Sequence, residues 1–122
     1  MNISFKLAAL ASATALLAAC ASTPPPTAQV AVSAAAVNHA AGAGAPELAP
    51  VEMRLARDKL QRANVAMTTK DYGQALALAQ EAQVDAQLAE AKAHSSKARK
   101  AAEEVREDGR VLREEIERKS PK

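Results

Sequence analysis

Six alanines stand four, three, four, three and four residues apart between Ala75 and Ala93, a spacing that keeps all of them on one side of an α-helix. A stripe so small in side-chain volume lets another backbone come close. Met53, Ala56, Leu60, Ala63 and Met67 form a second stripe, with alternating steps of three and four. Folding the chain back at Lys70 and Asp71 sets Met67 opposite Ala75, Ala63 opposite Ala79, Leu60 opposite Ala82, Ala56 opposite Ala86 and Met53 opposite Ala89. Larger residues on the first stripe then face alanine on the second, and the two stripes meet in register. No β-type alternation competes with this periodicity. The expected fold is all-α: an antiparallel helical hairpin with a short helix before it and a long, extended helix at the end.

Punctuating residues place the helices at about 28–41, 47–69 and 72–119. Val30, Ala34, Val37 and Ala41 recur at helical spacing in the first, and "GAGAP" stops it. The second starts near Pro46 or Pro50, since proline is tolerated in a first turn. In "KDYGQ", Asp71 is the expected N-cap of the third helix, with Gln74 completing a capping box. Glu114 with Arg118 and Glu115 with Lys119 are i,i+4 pairs in the favourable orientation near its basic end.

Past Ala93 the alanine stripe breaks, and a new one appears in another phase: Ala98, Ala102, Val105, Gly109, Leu112 and Ile116. The second helix, about 20 residues at 1.5 Å each, is too short to reach it. Ala98, Ala102, Val105, Leu112 and Ile116 are therefore candidate partner-binding residues, in a coiled coil or against another protein. The other readings are a charged, solvated helix with a few aliphatics, disorder, or a turn at Asp108 and Gly109 that returns the last segment to the hairpin.

The N-terminal part has a different character. Between Leu7 and Pro46 there is no Asp, Glu, Lys or Arg. Lys6 precedes an uncharged run of roughly a dozen residues, too short to span a bilayer and organised like an export signal. Leu17, Ala18, Ala19 and Cys20, the single cysteine, resemble a bacterial lipobox. That resemblance implies cleavage after Ala19, acylation of Cys20 and, with Ala21 next, an outer-membrane destination. Residues 1–19 are then a lipoprotein signal peptide and 20–27 the lipidated cysteine with a proline-rich spacer. Two or three acyl chains hold a protein at a membrane where one does so only transiently. An ordinary secretory signal cut at the "AxA" of Ala19 to Ala21 is the alternative, leaving a soluble periplasmic protein.

"KDYGQALALAQEA" is also similar to one tetratricopeptide hairpin, with Tyr72 ahead of Ala75, Ala79 and Ala82 and with Ala63 at the close-packing position of the preceding helix. No second copy follows, whereas a solenoid needs about three. Together with "GAGAPELAPVEMRLARDKLQRA", residues 17 to about 100 resemble an uncharacterised family of alanine-rich lipoprotein domains, a "domain of unknown function". Some of its members carry an OmpA-like peptidoglycan-binding domain after the helices, a function that does not carry over to these 122 residues.

Catalytic chemistry finds little support. Glu90 and His94 share a helix face, but a third metal ligand is missing. His94 and Ser95, adjacent on a helix, point apart, and His39 sits in an alanine helix as a polar-face residue. No enzyme activity, cofactor or metal is expected. The 16 basic residues are interleaved with 14 acidic ones, net +2, and no nucleic-acid stripe emerges. The expectation is a periplasm-facing outer-membrane lipoprotein, held by its lipid anchor, with a structural or adaptor role through self-association or an envelope protein. The alternative is a peptidoglycan tether or spacer. Lys122 carries that alternative, because the murein lipoprotein also ends in a lysine, through which it is joined to peptidoglycan.

Overall fold

The computed structural model describes residues 24–120. Ala19, Cys20 and Lys122 lie outside the described residues, as do the signal segment and the start of the spacer. Every regular element among the described residues is an α-helix: α1 (Thr27–Gly42), α2 (Ala45–Leu48), α3 (Pro50–Thr68) and α4 (Tyr72–Lys119). The chain is all-α, and its final helix is 48 residues long.

The α3–α4 hairpin closes through its alanines. Ala56 and Ala63 of α3 are buried, as are Ala75, Ala79, Ala82, Ala86, Ala89 and Ala93 of α4. Met53 is the one large apolar side chain that is fully enclosed. Leu60 and Met67 are half-buried, and Ala66 is buried beside Met67. Twelve of the fifteen buried apolar residues are alanine, so the core is a place where backbones meet and not a pool of large side chains.

Charged bonds fix the same register from outside. Lys59 Nζ lies 2.7 Å from Asp85 Oδ2 and 3.1 Å from Glu81 Oε2. Lys92 binds Glu52. Seven residues separate Glu52 from Lys59 and seven separate Asp85 from Lys92, so both clamps hold α3 and α4 in one alignment.

Helix α1 completes a three-helix unit. Val30 packs against Leu78 and Ala79, whereas Val37 and Ala40 join the cluster of Ala86, Ala89 and Ala93. It therefore runs parallel to α4 and antiparallel to α3. Its face differs from the expected one of Val30, Ala34, Val37 and Ala41: Ser33, Val37 and Ala40 are buried, and the other three are half-buried. A hydroxyl turns inward because it is satisfied there; Ser33 Oγ reaches the Ala79 carbonyl of α4 and, at 2.9 Å, the Gln29 carbonyl of its own helix. Gln29 Nε2 donates to Gln83 Oε1 at 2.7 Å across the same interface.

Two turns depart from the expected form. The helix expected over 47–69 is split, with α2 ending at Leu48 and Ala49 extended at φ −144°, ψ 56°. Pro50 disfavours helical geometry at the residue before it and then serves as the first residue of α3. Gly44, at φ 83°, ends α1 in the left-handed region beneath Lys97. At the second turn, Lys70 takes φ 61°, and its amide and that of Asp71 donate to Met67 and Ala66 carbonyls, closing α3 in a Schellman motif without glycine. Asp71 caps α4 by accepting from the Gln74 amide at 3.1 Å. The reciprocal bond of a capping box is not made, because the Asp71 amide is already committed to Ala66.

Lys70→Gly relieves left-handed strain and should raise stability by about 0.5–1 kcal/mol, whereas Asp71→Ala should lower it by about 1 kcal/mol, both read by urea unfolding. The clamps also set a pH window. The hydrogen bond from Lys92 holds the Glu52 carboxyl below its ordinary 4.5, so its contribution is present above that value and fades as pH falls through the lowered pKa. Hydrogen bonds to Asp85 and then Glu81 raise Lys59 above its ordinary 10.5, so its contribution is present below that value and is lost as pH rises through the raised pKa. Glu52→Gln should remove part of the acid-side loss of thermal stability and leave the alkaline side unchanged.

Candidate functional site: the uncovered face of α4

Helices α1, α2 and α3 cover only the first half of α4. Their last contacts with it are Gly44 against Lys97 and the shallow depression that Leu48 shares with Ser95, Ser96 and Arg99. Beyond Arg99 the helix stands alone for about 30 Å, 20 residues at 1.5 Å each. It continues unbroken through Asp108 and Gly109, so the return turn considered from the sequence is absent. Local charge pairing supports it there. Arg110 is gripped by Glu107 (Nε to Oε2, 3.0 Å) and by Glu114, and Lys119 bonds Glu115. Glu114 thus turns back to Arg110, not forward to Arg118. The hydrogen bond from Arg110 lowers the Glu107 carboxyl and raises the guanidinium in turn.

The candidate partner-binding residues lie on this segment or at its start, and all are exposed: Ala98, Ala102, Val105 at 71%, Leu112 at 59% and Ile116 at 65%. The Arg110 cluster occupies the opposite face of the helix and leaves the apolar row clear.

The row is longer than the sequence reading recognised. Counted backwards in steps of three and four from Ala98, it continues through Ser95, Ala91, Leu88 and Val84 to Ala77, interrupted by Glu81, which bonds Lys59. All five are exposed, Val84 at 62% and Leu88 at 46%. They lie two residues out of phase with the buried alanines, about 200° round the helix at 100° per residue, on the side turned away from the alanine contacts, with Ser95 near Leu48 and Val84 near Lys59 at its margin. The signal was present in the residues but masked by the alanine stripe, which is stronger over the same stretch. The row has charged edges. Arg99, Arg106 and Arg113 each follow a row residue, whereas Asp108 and Glu115 each precede one.

Other candidates are brought together only loosely. His39 of α1 shares an open depression with Glu90 and His94, whose side chains are 3.7 Å apart. Among the described residues no three His, Cys, Asp or Glu side chains are grouped to hold a metal ion. No described helix is long and apolar enough to cross a membrane.

Residues 28–105 match a domain of unknown function, DUF4398, and the chain belongs to that family. The matched segment takes in α1 to α3 and α4 as far as Val105. Comparison with curated proteins and with solved structures gives no match.

The two faces of α4 should respond differently to substitution. Ala82→Leu forces a large side chain between close backbones and should cost about 1–3 kcal/mol. Leu112→Gln, at a position whose neighbours all lie in its own turn of helix and at the helix end, should stay within about 0.5 kcal/mol of the parent in thermal unfolding of the dilute protein.

Proposed function

We propose that the protein is a periplasm-facing lipoprotein of the outer membrane that acts as a structural or adaptor element, presenting the free face of α4 at a fixed distance from the membrane. The tetrapeptide Leu17 to Cys20, closing an uncharged run, carries the reading. It supplies an address and gives the single cysteine a use that a thiol with no second cysteine otherwise lacks. The arrangement of the helices is consistent with such a role. Because α1 runs parallel to α4, the N-terminal segment enters at the Tyr72 end, and the free half of α4 points away from the point of attachment. A helix of 48 residues spans about 70 Å, a useful reach in the periplasm. The apolar row on it is a surface for a protein partner, not for a small molecule, because it is long, convex and without a closed cavity.

Cys20→Ala tests the address. Labelling with a palmitate analogue and membrane fractionation should show the parent protein acylated and membrane-bound, and the variant unlabelled and released or unprocessed. A parent chain that takes up no label and fractionates as soluble contradicts the proposal. Photo-crosslinking from Leu112 in living cells tests the docking role, and the proposal expects a discrete protein adduct.

A further inference from the structure

The row on the back of α4 runs from Ala77 to Ile116, about 60 Å at 1.5 Å per residue, and a cover for it must be equally long and share its period. We infer that a second copy of this chain covers the row, with the two α4 helices parallel and in register. This rests on the proposed reading of α4 as a docking surface on an anchored protein, and it names the partner.

Charge complementarity selects both the partner and its direction. In a parallel pair, the edge residue just before an a position of the row, as Asp108 is before Gly109, faces the residue five further along the other helix. Asp108 then faces Arg113 of the partner subunit, and the two-fold symmetry makes that bond twice. Among the described residues neither Asp108 nor Arg113 takes part in an ion pair within the chain, and the Arg113 side chain reaches only the Gly109 carbonyl of its own helix. Pairing the distal halves antiparallel instead lays the edge of Arg99, Arg106 and Arg113 against its own copy, like charge on like charge. The row itself agrees: Leu112 and Ile116 fall at the d and a positions of a heptad, where leucine at d and a β-branched residue at a favour two parallel strands.

The proposed attachment at Cys20 favours the same direction. Six residues, 21–26, lie between Cys20 and α1, and even fully extended they span about 20 Å. With α4 standing away from the membrane, as in the proposed reading, an antiparallel partner overlapping the whole row places its own Tyr72 end about 60 Å above the first, beyond the reach of that spacer. Parallel copies enter from one side, and tethering in one plane raises their effective concentration for a seam that has alanine and glycine in several layers.

The test uses the full chain in its native membrane, with Leu88→Cys, Val105→Cys and Leu112→Cys made separately and oxidised mildly. Identical positions meet in a parallel, in-register pair, so all three should give a disulfide-linked dimer above the parent chain. Glu107→Cys, on the opposite face, should not. Arg113→Glu should reduce the Leu112→Cys dimer severalfold, and adding Asp108→Arg should restore it, a rescue that rules out misfolding as the cause. Dimers at only one of the three positions, as an antiparallel crossing gives, overturn the inference. So does their absence from protein shown to be membrane-bound, or an equal yield at Glu107. Fractionation of the same cells reads the anchor separately. A released protein that still gives all three dimers removes the anchor and keeps the pairing, and an anchored protein that crosslinks only to a different protein keeps the adaptor role and removes the pairing.

Discussion

Close approach of three backbones along the alanine face of α4 is the interaction on which the rest of the structure depends. Alanine has almost no side-chain entropy to lose and leaves no space to fill, so α1 and α3 can both settle on one narrow stripe. The consequence is a core with little volume and no room for an enclosed pocket. Stability must then come from many small fits, and the clamps of Lys59 and Lys92, the Ser33 hydroxyl and the turn at Lys70 and Asp71 each fix a register that the small side chains leave only loosely determined.

The same stripe explains how much could be read from the residues alone. The hairpin alignment was legible because Ala56, Ala63 and Met53 had to share a phase with Ala86, Ala79 and Ala89. The burial of Ser33 was not legible, because one of the two carbonyls that satisfy its hydroxyl, that of Ala79, comes from a helix 46 residues away. The break at Ala49 was carried by Pro50, but two prolines four residues apart left the start of the helix open. The capping box was half right. Asp71 caps α4 as its position implies, but its amide belongs to the preceding helix, a conflict that arises because only three residues separate the two helices.

The free face of α4 shows a similar division. Val105, Leu112 and Ile116 stood out because nothing in the chain is long enough to cover them. Val84 and Leu88 did not, since over their stretch the buried alanines dominate any periodicity, and a helix carrying two apolar faces gives no clean amphipathic signal. What the fold adds is the knowledge of which face is occupied. Once α1 and α3 are seen on one side, the residues on the other side join into a single row, and the acidic and basic edges beside it acquire meaning.

Helix α4 is one helix in two parts, the first half covered by its own chain and the rest dependent on a cover from outside. Hydrogen exchange resolved along α4, measured on the lipid-anchored protein over a range of surface densities, tests this most directly. Amides from Ala75 to Ala93 should show strong protection that does not change with density. Those from Ala98 to Lys119 should exchange rapidly when the protein is sparse and slow as it becomes crowded. Strong, density-independent protection of the distal half would be the opposite result, since a segment waiting for a second copy cannot be protected in the sparse protein.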